Sequence, residues 1–490
     1  MTTQYLAYAI GVVVVWLVAM RLRSVTARQL LYLVASYLFY YSWGSWLIVV
    51  LIFSSLANYA LGEWLKKRIT SGRLWTGIIF NLALLSIFKY LPSLGAAVPS
   101  GSPLSIFRRI LFPIGISFWT FQALAYLLEL YREEELNPTP LEFCLYMSFW
   151  PTVLQGPICR MSSMLPQFRQ EWSVSDDDLK IGIRRVSIGV LMVALSEVMS
   201  GGLYAGWGVD AIFGKAFLQN STAHLGGLDV WCLIIAYAFQ LYFGFCGFSH
   251  IVIGAARLFG IQLHENFNRP YLSTTPAMFW TRWHMSLSFW IRDFLFLPLA
   301  TMRREVWWRN LSLVIAMFVF GLWHGGSFLF MMWGIYHGLL LVAHRQWQEF
   351  RKRIGFEWSG ALATAISWLL TFLAVCIGYV FFRAESIRQA VAMLKAIASP
   401  HSYRHTVLDH SFYLMTFLAA AGYFAIIGAG AVLDHLEKNS AAGRFRNLLS
   451  ALAAERWVWI TPIIVVLAIY LSVIFQPGHA ETGPVMYALF

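Results

Sequence analysis

Charge is what this chain of 490 residues has least of. Asp, Glu, Lys and Arg together make up 12%, against about a quarter in soluble proteins. That scarcity, with 59% hydrophobic residues and a mean hydropathy of +0.63, excludes a soluble globular protein. Cysteine is also scarce. Cys144, Cys159, Cys232, Cys246 and Cys376 lie in or beside apolar segments without CxxC pairing, which argues for packing and against a disulfide framework or a zinc site. GxSxG, HExxH and a Gly-rich phosphate loop are absent, so the signatures of α/β-hydrolases, zinc metalloproteases and nucleotide-binding loops are missing. No low-complexity linker or strong internal repeat divides the chain. The first apolar stretch has no basic residue before it and no clean small-residue cleavage site. It reads as a retained helix, not a secretory signal.

What is present is a series of apolar runs near 6–20, 29–43, 46–62, 75–91, 110–130, 141–158, 180–206, 229–256, 311–323, 328–344, 359–382, 411–433 and 456–475. They predict an all-α polytopic membrane protein with about 10 to 13 transmembrane or re-entrant helices, several being short against the roughly 20 residues of a full span. One integral membrane domain over 1–490 is expected. The formal net charge of +12 fits the positive-inside rule better than nucleic-acid binding. Arg21, Arg23 and Arg28 follow the first run, the turn at Gly44-Ser45 is uncharged, and Lys66, Lys67, Arg68 and Arg73 follow the third. That alternation predicts the N-terminus outside and the basic loops in the cytoplasm.

Polar chemistry concentrates between residues 240 and 345. His264, Glu265, Asn266, Asn268 and Arg269 open it. Thr275-Pro276 then reads as an N-cap followed by proline at the first helical position, predicting one helix from Pro276 to about Leu297. On that helix Arg282, Ser286 and Asp293 share a stripe, Trp280, Trp283, Leu287 and Trp290 share another, and His284 can touch Ser288 four residues on. Further along, Leu311–Trp323 is 13 apolar residues, about 20 Å of helix, too short for a hydrocarbon core of about 30 Å. Arginines flank both ends of 311–344, and Gly325 and Gly326 can turn the chain. The expectation is a helical hairpin with His324 at its buried tip, since non-helical backbone at membrane depth must be packed in protein or line a cavity. His284, 40 residues earlier, can converge on it. His337 is a third candidate.

A neutral imidazole suits proton transfer near pH 7, as acyl transfer to a hydroxyl requires. Metal binding is the rival use of paired histidines, but the region offers no obvious third carboxylate on the same helices beyond Asp293 and Glu265, so no metal is expected. Three segments then stand out: ENFNRPY at 265–271, FWTRWHMSLSFWIRDFLFLPL at 279–299 and GLWHG at 321–325. They resemble the membrane-bound O-acyltransferase (MBOAT) family, in particular the bacterial branch containing the alginate O-acetylation membrane protein. FPIGISFWTFQALAYLLELYR at 112–132, QGPICR at 155–160, WGIYHGL at 333–339 and YVFFRA at 379–384 extend the likeness over about 30–390, with a catalytic region at 264–344 and C-terminal spans over 391–490.

The resemblance implies helices around a thin central waist, His324 as the family's histidine and His284 as its second polar position. It also implies a cytoplasmic acetyl-CoA or acyl-carrier thioester as donor substrate with no bound cofactor, an extracytoplasmic polysaccharide acceptor, and help from a separate periplasmic SGNH-type transferase. The implied setting is the bacterial inner membrane. Arg282, Trp283, Ser288, Arg292, Asp293, Asn266, Asn268, Trp323 and His337 are the donor- or pocket-lining candidates, and Arg303-Arg304 are further phosphate contacts. FGFCGFSH at 243–250 and VALSEVM at 193–199 depart from the branch's pattern, which leaves the acceptor open. The other readings are transfer of D-alanyl or another acyl group to an envelope polymer, a transporter with a histidine proton relay, and a non-catalytic secretion scaffold.

Overall fold

The computed structural model describes residues 2–99, 101–201, 208–213 and 225–438. Among the described residues the regular elements are all helices, with no strand. Among the described residues, six stretches are long and apolar enough to cross a membrane: Val25–Lys67, Ser71–Lys89, Gly227–Leu258, Val306–His324, Ala361–Arg383 and His410–Gly428. The first comprises two 20-residue helices, Val25–Gly44 and Ile48–Lys67, joined by a 3-10 turn at Ser45–Leu47. Ser45 takes a positive φ of 49° there, so the uncharged Gly44-Ser45 turn falls where the sequence places it. The expected run at 456–475 lies outside the described residues.

Two expected spans are much shorter. The 110–130 run is helical only over Ile116–Tyr131. The 141–158 run forms a nine-residue helix, Pro140–Ser148, closed at its start by a Thr139/Glu142 capping box. Beyond it the chain turns irregularly to Arg160, with Pro151 and Pro157 unable to donate to a helix. These segments are nevertheless deeply buried: Trp119, Ala123, Tyr126, Phe143, Leu145 and Met147 are 0% exposed. They pack against the helices Val25–Gly44, Ile48–Lys67 and Ser71–Lys89.

The hairpin is present with a different length. Its first helix is Val306–His324, 19 residues and not 13, about 28 Å at 1.5 Å per residue. Trp307, Trp308, Arg309 and Asn310, which lie outside the expected run, supply the first turns. The helix is therefore of spanning length, and His324 is its last residue. Gly325 carries the turn in extended backbone (φ −176°), and Ser327 caps the returning helix Phe328–Ile354. The two helices meet almost backbone to backbone. A Cβ at Gly321 would lie 2.2 Å from the Phe330 carbonyl, and one at Gly334 would lie 2.2 Å from the Met317 carbonyl. Gly334 and Gly338 make the small-xxx-small spacing by which helices approach closely in membranes.

The single helix expected over Pro276–Leu297 is broken. Thr275 caps it as expected, its Oγ1 accepting from the Met278 N–H at 3.0 Å with Pro276 in the first turn. The helix stops at Trp280, and the chain passes through His284 with φ +42° and ψ 55° before a second helix, Met285–Ile291. A π turn over Arg292–Phe296 then leads into Leu297–Thr301. Leu297 N–H bonds the Arg292 carbonyl five residues back, a register that lets the chain continue through Pro298, which has no N–H of its own.

Candidate active site

The break at His284 has a structural cause in the segment before it. Met285 N–H donates to the Asn266 carbonyl and Asn268 N–H to the Arg282 carbonyl, both at 2.9 Å. The 266–268 loop is thus zipped to the 282–285 turn. A left-handed residue other than glycine costs on the order of 1–3 kcal/mol. The Asn266 side chain offsets it: its Oδ1 accepts from His284 Nδ1 (3.0 Å), from Ser286 Oγ (3.0 Å) and from the Ser286 backbone N–H (3.4 Å). Its Nδ2 donates to Ser249 Oγ at 3.2 Å. Asn266, Ser249 and His284 are all buried.

This network fixes a protonation pattern. A backbone N–H can only donate, so the atom facing Ser286 N–H is the amide oxygen. An amide oxygen can only accept, so His284 Nδ1 carries the proton and Nε2 has a bare lone pair. That Nε2 is buried and has no hydrogen-bond partner. It belongs to a residue lining a small cavity, as does His324.

The cavity has a volume of about 30 Å³, room for a water or two. His284, His324, Gln155, Phe245, Trp333 and Phe382 are among its walls. Rings crowd His324: Trp323, Phe320, Phe382 and Trp333 have centroids 4.7, 5.0, 5.0 and 5.1 Å from its own. Phe245 meets His284 edge-on at 4.7 Å. Two imidazoles thus sit in an aromatic, nearly dry enclosure, where a few polar groups decide orientation. Among the described residues no three His, Cys, Asp or Glu side chains gather as metal ligands.

The remaining candidates distribute unevenly. Trp283 lines the cavity with the histidines. Trp323 backs His324 and packs on Phe121 at 5.1 Å. Ser288 does not reach His284, because the break turns its hydroxyl onto the Trp283 carbonyl at 3.0 Å. Asn268 and Arg282 meet through backbone alone and are not cavity walls. His337 is packed between Trp280 (5.2 Å) and Trp333 (5.1 Å), one ring behind the cavity. A Cβ at Gly378 would lie 2.5 Å from its Nε2.

Arg292 and Asp293 belong to a separate ionic group. Asp293 pairs with Arg292 at 2.7 Å and Arg160 at 2.5 Å, and its carbonyl accepts from Arg132 at 2.7 Å. Burial pushes its carboxyl up, but the bonds from the two arginines outweigh this and hold it below the usual range. The Arg132 and Arg160 guanidiniums lie over the Phe294 ring at 4.8 and 4.9 Å. The QGPICR segment links this group to the cavity: Gln155 lines the cavity, Ile158 N–H donates to Ser286 Oγ at 3.0 Å, and Arg160 reaches Asp293.

Sequence reasoning missed Gln155, Phe245, Trp333 and Phe382 as walls, and Ser249 as the far end of the Asn266 network. Gln155, Trp333 and Phe382 lie inside QGPICR, WGIYHGL and YVFFRA, so the signal was present as motif membership without a role. Lys89 and Tyr90, which touch the end of the His324 helix, carried no such signal.

Comparison with known proteins finds relatives over most of the chain. The family model described as MBOAT, membrane-bound O-acyltransferase family, matches residues 30–382. The chain is 31% identical to the "probable alginate O-acetylase AlgI" of Pseudomonas aeruginosa over 78% of this chain and 72% of that protein. It is 29% identical to the "peptidoglycan O-acetyltransferase" of Helicobacter pylori over 75% and 73%. It is 27% identical to the "teichoic acid D-alanyltransferase" of Bacillus subtilis over 65% and 80%. Matched by this family over residues 30–382 and by relatives named as acyl-transferring enzymes, the chain is an acyltransferase and belongs to the membrane-bound O-acyltransferase family.

Proposed function

We propose that this protein transfers an acetyl group from a cytoplasmic thioester, acetyl-CoA or an acyl carrier, toward a hydroxyl of an extracytoplasmic polysaccharide. Delivery is direct or through a separate periplasmic transferase of the SGNH type. The setting is the bacterial inner membrane. The relatives that act on alginate and peptidoglycan support the choice of acceptor class. The observation that carries the chemistry is the shared cavity of His284 and His324.

His324 acts as general base. The acceptor hydroxyl gives its proton to the imidazole as its oxygen bonds to the thioester carbonyl carbon. The tetrahedral intermediate collapses, the C–S bond breaks, and the imidazolium returns the proton to the leaving thiolate, so that an ester and a free thiol result. His284 orients. Polarising a carbonyl would need an N–H at Nε2, which the Asn266-bound tautomer lacks, whereas a bare Nε2 can accept from a hydroxyl and align it. Aromatic walls exclude bulk water and strengthen each polar contact in the enclosure.

Arg292, with Arg132 and Arg160, is the contact for donor phosphates, because guanidinium binds phosphate by paired hydrogen bonds. The hairpin supports the sidedness. Arg303, Arg304 and Arg309 stand at its first end and Arg345, Arg351, Lys352 and Arg353 at its last, so both ends face the cytoplasm by the positive-inside rule, with the N-terminus outside. The test is the acetyl ester content of the surface glycan, by mass spectrometry, in a deletion strain restored with wild type or with His324→Ala. Wild type restores the ester and the variant does not. A variant that restores it ends the proposal.

A further inference from the structure

The helix that carries His324 ends at that residue, and the last four carbonyls of any helix lack intrahelical partners. Two of them are taken by donors from one neighbouring element. Tyr90 Oη donates to the Leu322 carbonyl at 2.9 Å. Lys89 Nζ donates to the Trp323 carbonyl and lies over the Trp323 ring, 4.9 Å from its centroid. Lys89 closes the Ser71–Lys89 helix and Tyr90 follows it. The hairpin turn leans on the same tyrosine, whose ring would lie 3.3 Å from a Cβ at Gly326.

The charge matters as much as the bond. A helix carries about half a negative charge at its carbonyl end, which stabilises a histidine there as the cation. A cationic imidazole cannot accept a proton, so a base in that position needs the carbonyl end offset. The ammonium of Lys89 sits on the carbonyl of the preceding residue. That carbonyl, the ring face and the helix end all attract its positive charge. From the other elements packed on His324 come Phe330 and Trp333 of the returning helix and Phe382 of Ala361–Arg383, none of them ionisable. His284 shares the cavity, His337 lies behind Trp333, and Arg383 is turned to Asp210 at 3.0 Å.

We propose that Lys89 is a positioning residue for His324: its ammonium pins the helix end that carries the imidazole and keeps the ring in its neutral, proton-accepting form. This rests on His324 acting as the base. The test uses the full-length protein in membranes of the host strain, which supply the native acceptor, with labelled acetyl-CoA as probe and ester formation followed against pH at matched protein levels. Lys89→Arg keeps bond and charge, Lys89→Gln keeps a hydrogen-bond donor without charge, and Lys89→Met keeps neither.

The Arg variant stays close to wild type at every pH. The Gln and Met variants are several-fold slower than Arg near pH 6, with the gap narrowing toward pH 8.5, because the imidazole cation is no longer disfavoured by a neighbouring positive charge. Gln matching Arg across the range overturns the inference, since the lysine is then only a cap. Met matching wild type overturns it as well. If Met fails to accumulate, the Gln and Arg variants decide. His324→Ala is measured alongside. Activity in it sinks the base reading itself, whereas an inactive His324→Ala with unshifted Lys89 profiles sinks only the role of Lys89.

Discussion

Asn266→Ala is the sharpest probe of how the site is held. The substitution removes one amide oxygen that accepts from His284 Nδ1 and Ser286 Oγ, and one amide nitrogen that donates to Ser249 Oγ. Each buried group left unsatisfied costs about 1–3 kcal/mol. The two serine hydroxyls can rotate to other acceptors and the imidazole cannot, so the loss of stability is about 2–4 kcal/mol. The kinetic loss is larger in proportion. With no acceptor at Nδ1 the imidazole is free to move its proton to Nε2, and that tautomer can no longer accept from the acceptor hydroxyl and align it, a misplacement that costs on the order of 100-fold in kcat. Asn266→Asp keeps an acceptor for Nδ1 and separates tautomer control from folding, so it lies between wild type and Ala. The assays are thermal unfolding in detergent and single-turnover ester formation in membranes. An Asn266→Ala protein that melts earlier yet turns over within about twofold of wild type would refute the tautomer argument while leaving the fold argument intact.

Other outcomes follow from the same contacts. Gly334→Val places side-chain atoms where a Cβ already meets the Met317 carbonyl at 2.2 Å. The hairpin must separate, with a loss of about 3 kcal/mol or more, read as lost accumulation or a lowered Tm. Arg292→Ala, exposed and outside the cavity, raises the KM for acetyl-CoA several-fold with kcat little changed, and the effect shrinks at high salt. Equal KM values at low salt would remove Arg292 from donor binding. Burial pushes the Glu142 carboxyl up, but the Arg169 ion pair and the Thr139 N–H prevail and hold it at about 2. Because its folded value is depressed, its contribution is present above the usual glutamate range near 4.3 and is lost as pH falls toward 2. Arg169→Gln therefore flattens the fall in Tm over that window, and an unchanged slope would show that the pair contributes nothing.

Much of the site was legible because its residues are costly in a membrane. A histidine between glycines in an apolar run has to be explained, and His324 does end a helix at a hairpin turn. The Thr275-Pro276 start was legible from capping chemistry alone. The break at His284 was not: a left-handed non-glycine residue leaves no periodic trace, and the bonds that hold it come from Asn266, 18 residues earlier. Helical spacing therefore paired His284 with Ser288, when its partner is across a loop. The length of the His324 helix was underestimated because Trp307, Trp308 and Arg309 look like an interfacial flank, yet a helix can begin in the interface and enter the hydrocarbon. Lys89 was hidden for the opposite reason. A lysine at the end of an apolar helix is commonplace, and only its position over the Trp323 carbonyl and ring gives it a role.

The smallness of the cavity bears on chemoselectivity. A thioester beside a competent base is exposed to hydrolysis, and an enzyme that opens a roomy site wastes donor each time no acceptor is present. Here the free volume admits a water or two, and under the proposed function an arriving acyl group must evict them from between Phe245, Trp333 and Phe382. The same rings that keep water from the carbonyl also set how long an acyl chain fits. Fidelity toward the alcohol and selectivity for a short acyl group are then one property, and widening the walls to accept a longer chain loosens both together.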